Sequence, residues 1–301
     1  MRKPCYVVDS FSSKPLAGNA AGVVLDGADL GSDQMRRIAA ELKHSETAFP
    51  LPAREPTAQL HLRWFTPTVE VAFCGHATLA ALHVMVEEAQ RLRVHQGKTT
   101  HLTFTCKAGK LRAELSREEQ GGLRILIETP RCAFEPQPVD ATVLAALGLV
   151  PEVLDPALAP RRSVSAESNL WLAVRDREAL ARIRPDGPAL IEAGKALGVF
   201  GFCVFVASPA KGIDAALRCF FPAQGILEDP VTGMAAGQLG LLLQDLLPEQ
   251  LPRRLVFSQG DEMSRPGRVE VELRPEAQPG DVRAWIGGRA TTVLRGELDL
   301  R

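Results

Sequence analysis

Phe65-Thr66-Pro67-Thr68-Val69-Glu70-Val71-Ala72-Phe73-Cys74-Gly75-His76-Ala77-Thr78-Leu79-Ala80 reads as a strand end, a proline turn and a small-residue loop that opens a buried helix. Cys74 follows Pro67 by seven residues, and the apolar run begun at Ala77 continues to Val86. The same grammar returns in the second half. Phe220-Phe221-Pro222 is followed, seven residues after its proline, by Asp229-Pro230-Val231-Thr232-Gly233 and an apolar run from Ala235 to Leu247. A second echo lies downstream of each copy: Gly109-Lys110-Leu111-Arg112-Ala113-Glu114-Leu115 against Gly267-Arg268-Val269-Glu270-Val271-Glu272-Leu273. An internal repeat of this length implies two similarly folded halves. A polar or thiol-bearing loop ahead of each buried helix points two helix N-termini at one cleft, whose free amides suit a small anion.

Composition bounds the class. A chain of 301 residues holds two domains of about 150 residues each. Hydrophobic residues make up 46% and charged residues 24%, enough to bury large cores and unlike a disordered chain. A formal charge of −1 offers nucleic acid no electrostatic footprint. No apolar run reaches the roughly 18 residues of a membrane span. Met1-Arg2-Lys3-Pro4-Cys5 lacks the apolar core of a signal peptide, so the expected location is cytoplasmic. Cysteines at 5, 74, 106, 132, 203 and 219 are scattered without CxxC spacing, which reads as reduced thiols.

Strands are expected at Tyr6-Val7-Val8, Ala20 to Leu25, Thr47-Ala48-Phe49, Leu60 to Phe65 and Leu102 to Thr105, with a helix over 32–43 capped by Ser32. In the second half strands fall near 123–128, 169–174 and 202–207, and helices near 139–147 and 188–197. The proline-dotted segment 129–138 is the interior linker candidate. Strands bracket single buried helices without a regular βαβ rhythm. The expected fold is therefore α+β: two pseudo-symmetric lobes, each a curled, mostly antiparallel sheet around a central helix. The lobes are expected over 1–122 plus 290–301 and over 123–289, with the active site in the cleft and Ala290 to Leu298 crossing back.

Glu46 ends a helix and precedes an apolar strand. Buried near a cleft it would gain a raised pKa and could move protons near neutral pH; the alternative is a solvated helix-end carboxylate. Gly75 permits close backbone approach, Cys74 at a helix start would have its thiolate favoured, and His76 could donate to a substrate carboxylate or phenol-like oxygen. Asp229 is the repeat partner of Cys74 by spacing, so a two-base racemase built on paired cysteines lacks one of them. Glu228-Asp229 could serve only as cap and dipole complement, while Thr232 and Gly233 leave backbone N–H groups free for a carboxylate. There is no GxGxxG after a strand, Walker loop, HExxH or GxSxG, and His61, His83, His95 and His101 have no metal-ligand spacing. No cofactor and no metal are expected.

These residues together resemble the PhzF-like family, phenazine-biosynthesis isomerase relatives with the diaminopimelate epimerase fold. Val8-Asp9-Ser10-Phe11 with Leu16-Ala17-Gly18-Asn19-Ala20-Ala21-Gly22 resembles its opening. Ser45-Glu46-Thr47-Ala48-Phe49 resembles its catalytic signature, and Cys74-Gly75-His76-Ala77-Thr78, Gly225 to Gly233, Ser258 to Pro266 and Trp285-Ile286-Gly287-Gly288-Arg289-Ala290 follow in order. The resemblance implies a homodimer and a proton-shuttling isomerisation of a small, carboxylate-bearing substrate; in the phenazine enzyme this is trans-2,3-dihydro-3-hydroxyanthranilate. It implies that Glu46 takes and returns the proton, that His76 and Asp229 orient the substrate, and that Asn19, Gly75 and Gly233 line the pocket. Met234 departs from the family's serine. Losing that donor costs about 1–3 kcal/mol where its partner stays buried, roughly 5- to 150-fold in affinity, so a less polar substrate is expected unless Met234 packs into the helix core. Two further readings stand beside this one: an epimerase or racemase with Cys74 as a base, and a binding protein that kept the fold without catalysis.

Overall fold

Gly75-His76-Ala77-Thr78-Leu79-Ala80-Ala81-Leu82 contains no long polar side chain, so a helix built from it has no face to give to water. The fold answers that constraint twice. The computed structural model describes residues 1–119, 121–165, 168–278 and 280–301 and divides into two units, Met1–Pro130 with Trp285–Arg301, and Arg131–Ala284.

The first unit runs β1 (Arg2–Ser10), β2 (Asn19–Val24), α1 (Ser32–Leu42), β3 (Thr47–Pro52), β4 (Leu60–Phe65), β5 (Glu70–Val71), α2 (Gly75–His83), β6 (Thr100–Cys106), β7 (Gly109–Arg117) and β8 (Leu123–Glu128). β1–β2, β3–β4, β6–β7 and β7–β8 are antiparallel, whereas β2–β3 and β4–β6 are parallel across α1 and α2. All residues of α2 from Gly75 to Leu82 are buried, and the helix packs against β1, β2, β3 and β8.

The chain then builds the second unit: β9 (Ala133–Pro136), α3 (Ala141–Ala146), β10 (Arg161–Val164), β11 (Asn169–Ala173), α4 (Arg177–Arg182), α5 (Gly187–Leu197), β12 (Gly201–Ala210), β13 (Ile213–Phe221), β14 (Ile226–Asp229), α6 (Gly233–Leu246), β15 (Arg253–Gln259) and β16 (Gly267–Pro275). The pairing grammar repeats. β10–β11 and β12–β13 are antiparallel, β11–β12 and β13–β15 are parallel, and β15–β16 closes antiparallel. α6 is the second buried helix; a Cβ on its Gly240 would sit 2.8 Å from Val271 Cγ1, so the glycine lets it lie tight on β16. This unit also carries an outer layer made of α3 and α5, the helices expected near 139–147 and 188–197, and of α4, which was not expected. Val143, Leu144, Leu147, Leu180, Ile183 and Leu190 from α3–α5 and the turns after them form one core with Leu170, Phe202, Val204 and Phe220. Asp176 and Asp186 cap α4 and α5 by accepting from Ala179 and Ala189 N–H.

β17 (Val282–Gly288) leaves the second unit and β18 (Ala290–Asp299) returns to pair with β1, as the crossing-back segment was expected to. Two boundaries differ from expectation. Residues 123–128 belong to the first unit, because the short turn after β7 folds them back as its hairpin partner, Ala113 opposite Ile127. Trp285–Gly288 also belongs there, antiparallel to β8. α1 begins after Gly31 rather than being capped by Ser32, with the Gln34 side chain accepting the Gly31 N–H. No helix among the described residues is long and apolar enough to cross a membrane.

The closing strand explains its own glycine. A Cβ at buried Gly287 would stand 1.8 Å from the Ile125 carbonyl oxygen, a clash with backbone that no rotamer relieves. Gly287→Ala is therefore expected to lower stability by about 1–3 kcal/mol, read as a lower urea midpoint at unchanged slope. An unmoved midpoint would show that β8 and β17 do not approach this closely.

Candidate active site

α1 stops where Lys43 turns into the left-handed region at φ 57°, and the three residues that follow carry the chain into β3. Glu46 sits immediately before that strand. Its carbonyl accepts the Gly22 N–H at 3.1 Å, and Gly22 opposes Thr47 in the parallel pairing. A Cβ on Gly22 would lie 2.7 Å from Thr47 Oγ1, so this glycine permits the close approach that seats Glu46. The Glu46 side chain keeps only 15% of its accessible surface, which rules out a solvated helix-end carboxylate.

Facing it is the first turn of α2. His76 Nε2 lies 3.3 Å from Glu46 Oε2 and 3.4 Å from Ser45 Oγ, and His76 Nδ1 lies 3.4 Å from Cys74 Sγ. The turn is itself pinned. Ser10 Oγ donates to the His76 carbonyl at 2.7 Å, and Thr78 Oγ1 donates to the Cys74 carbonyl at 2.6 Å. Asn19, buried, pairs with Ser10 at the loop end of the β1–β2 hairpin. Burial pushes the Glu46 carboxyl above its ordinary range, against hydrogen bonds from Ser45 and Cys74 that lower it. Glu46, Cys74 and His76 each offer one ligand-type atom within 4.8 Å of the others, a mixed oxygen, sulfur and nitrogen set that a divalent transition ion could also use. Elsewhere in this unit buried His61 and half-buried His83 are tied to hydroxyls: His61 Nδ1 to Thr105 Oγ1 at 2.9 Å and His83 Nε2 to Thr292 Oγ1 at 3.1 Å.

The other expected residues lie in the second unit, in the loop that enters α6. Asp229 is buried, and its Oδ2 accepts from Thr232 Oγ1 at 2.5 Å. Gln259, almost wholly buried, straps the loop: Nε2 donates to the Asp229 carbonyl at 2.8 Å and Oε1 accepts the Thr232 N–H at 2.9 Å. Gly260 follows at φ +86°, where a Cβ would meet the Pro230 carbonyl oxygen at 2.6 Å. Gly233 is the first residue of α6; Met234, next to it, is half-buried and not part of the helix's buried set, so it does not pack fully inward.

One expected equivalence is corrected. Spacing from the proline pairs Asp229 with Cys74, but Cys74 caps α2 and Thr232 caps α6. β14 spans four residues against two for β5 and shifts register against β13, which delays the second helix start. Thr232 therefore stands where Cys74 stands, and Met234 where His76 stands; Asp229 is an addition upstream. Burial pushes the neighbouring Cys219 thiol well up, with Cys203 and Asp229 beside it, so it is a core thiol and no replacement base. Ser10, Ser45 and Gln259 had no assigned role in the sequence. The Ser45 hydroxyl, next to an acid, was the readable signal; Gln259 acts on a loop 30 residues away and has none.

Two α+β units of this pairing have the diaminopimelate epimerase-like fold, and the curated relatives of the chain are isomerases. The chain belongs to the PhzC-PhzF family, described as phenazine biosynthesis-like protein, which it matches over residues 8–296. It is 35% identical over 305 residues to the uncharacterized isomerase YddE of Escherichia coli (strain K12), covering 99% of this chain and 98% of that one. It is 39% identical over 307 residues to the uncharacterized isomerase PA3578 of Pseudomonas aeruginosa, covering 100% of both. A PhzF-family protein from Bacillus anthracis superposes with a TM-score of 0.89 at 25% identity over 100% of both chains. A hydroxyproline epimerase from Agrobacterium vitis shares the fold, with a TM-score of 0.65 at 13% identity over 99% of this chain and 93% of that one.

The raised carboxyl has a consequence for stability. Between the ordinary glutamate range and the folded value, the native state binds more protons than the unfolded state, so stability falls as pH rises through that window. Glu46→Gln removes the effect. The variant should equal the parent below the ordinary glutamate range and exceed it at neutral pH, measured as urea midpoints across the pH scale. A variant no more stable than the parent at neutral pH would contradict the burial of a titrating carboxyl.

Proposed function

We propose that this isomerase moves a proton on a small, carboxylate-bearing cyclic or unsaturated substrate without an organic cofactor, with Glu46 as general acid and base. The observation that carries the reading is the pairing of Glu46 with His76 at 3.3 Å, with the acid only 15% exposed. A desolvated carboxyl close to an imidazole can hold a proton and release it near neutral pH, as a group that takes a proton from one carbon and returns it to another must. His76 orients the substrate and assists the transfer. The N-terminal end of α2, with Gly75 and Asn19, favours an anionic group there through the helix dipole. On the second unit, Asp229, Thr232 and Gly233 are the proposed orienting groups. Met234 offers a thioether where a serine would donate, which favours a less polar substrate at that point.

The test is exchange in heavy water. Candidate unsaturated and cyclic carboxylates incubated with the protein are followed by proton NMR for loss of a carbon-bound hydrogen. Glu46→Gln is expected to slow exchange by about 10²–10⁴-fold while circular dichroism stays unchanged. Exchange that persists at the parent rate removes Glu46 from the mechanism, and a protein that exchanges nothing is a binder.

The contact of Cys74 Sγ with His76 Nδ1 at 3.4 Å favours one second reading, epimerisation with the thiol as a base. That reading predicts deuterium at a stereocentre and turnover abolished by a thiol alkylating agent. Turnover that survives complete alkylation of Cys74 ends it.

A further inference from the structure

We propose that the outer edge of β18 is a docking surface for a second copy of this chain, the two strands pairing antiparallel about a two-fold axis through Gly296. The inference stands apart from the reading of Glu46, since neither Glu46 nor His76 takes part in it.

β18 pairs with β1 along one edge, and among the described residues no other strand packs beside it. From Leu294 to Asp299 its register with β1 is unbroken, with Val7 opposite Leu294 and Arg2 opposite Asp299; the one irregularity, between Val7 and Val8, falls before this stretch. Leu294, Arg295, Gly296 and Glu297 are all exposed. An open edge of this kind offers unpaired backbone N–H and C=O groups to any strand that can lie along it, and proteins blunt such edges with proline, lysine or a bulge. Leu294-Arg295-Gly296-Glu297-Leu298-Asp299 holds none of the three.

The stretch is instead its own complement. Leu294-Arg295-Gly296-Glu297-Leu298 runs apolar, positive, glycine, negative, apolar. Turned about Gly296 onto a second copy, it sets Leu294 opposite Leu298 and Arg295 opposite Glu297, and the two-fold repeats each pair. The residue on the axis meets its own copy, where a charged side chain would repel itself. Nothing within the chain calls for a glycine there: Gly296 has no positive φ, and a Cβ would meet only Leu294 Cδ2 at 3.9 Å. A glycine inside a strand often marks the close approach of another backbone.

The faces of the sheet are preserved as well. An axis through a residue joins positions of the same parity, so side chains of one face meet side chains of that face. Leu298, packed against the core of Cys5, Val24 and Met35, meets Leu294, which is 50% exposed within its own chain. Arg295, held by Glu88, meets Glu297 on the other face. Within its chain Glu297 reaches Arg2 at 3.4 Å with both side chains more than half exposed, a contact that water screens.

Sedimentation velocity on the full chain at micromolar concentration is the test. The parent is expected to sediment as a dimer. Arg295→Glu and Glu297→Arg each set like charges opposite one another at both cross-copy pairs, and each should weaken association by about tenfold or more. The double variant, Arg295→Glu with Glu297→Arg, restores opposite charges in reversed order and should return the dimer. It does not repair the contacts with Glu88 and Arg2 inside the chain, so recovery reports the pairing between copies. A parent that sediments as a monomer overturns the proposal, whatever else the edge binds. So does association unchanged in either folded single variant, or a folded double variant that stays dissociated. Circular dichroism establishes which variants fold; should Arg295→Glu fail to fold beside Glu88, Glu297→Arg decides alone.

Discussion

A helix with no polar face has to be enclosed, and in this protein the only polar openings of α2 are its ends. Everything about the first unit follows from that. The strands around α2 enclose it, and its residues from Gly75 to Leu82 are all buried, with the polar His76 and Thr78 partnered inside the protein. The N-terminal amides cannot be satisfied within the helix, so the loop at Cys74-Gly75-His76 is where polar chemistry can meet a desolvated space. A flat sheet would have left α2 on a surface, where neither the burial of Glu46 nor the attraction of the helix start for an anion would be strong.

The same enclosure sets the chemistry of Glu46. Taking a carboxyl out of water favours its neutral form, and the Ser45 and Cys74 donors favour its charged form. The two influences oppose each other. The His76 imidazole lies 3.3 Å from this carboxyl. The residues that keep this arrangement in place are small or remote. Gly22 lets β3 lie close enough to present Glu46, and Ser10 pins the His76 carbonyl.

Two copies of one scaffold have taken different side chains at the same backbone positions. Thr232 replaces Cys74 and Met234 replaces His76, while Asp229 enters on a longer β14 and is strapped by Gln259. Arg63 grips Glu70 and Arg218 grips Glu228 with paired hydrogen bonds, so the short strand ahead of each helix is tied to its neighbour in the same manner. The fold therefore repeats in its strand pairing and diverges in the side chains at the two helix starts. That divergence is what keeps the second unit from supplying a matching thiol base.

The α+β class, the doubled architecture, the two buried helices and the family were all legible in the sequence, because buried helices and strands write their environments into local periodicity and the loop motifs recur at near-constant spacing. The unit boundaries were less legible: residues 123–128 read as a strand but not as the hairpin partner of β7, since pairing partners leave no mark on a strand's own pattern. The delayed start of α6 shares that reason. Residues within a few positions of each other, such as Cys74 and His76, could be grouped from the chain alone. Joining Glu46 to them across some thirty residues, or Gln259 to Asp229, depended on which strands lie side by side. Burial, the contact that raises a carboxyl and the donors that temper it are properties of neighbours in space, and only the tertiary structure decides who those neighbours are.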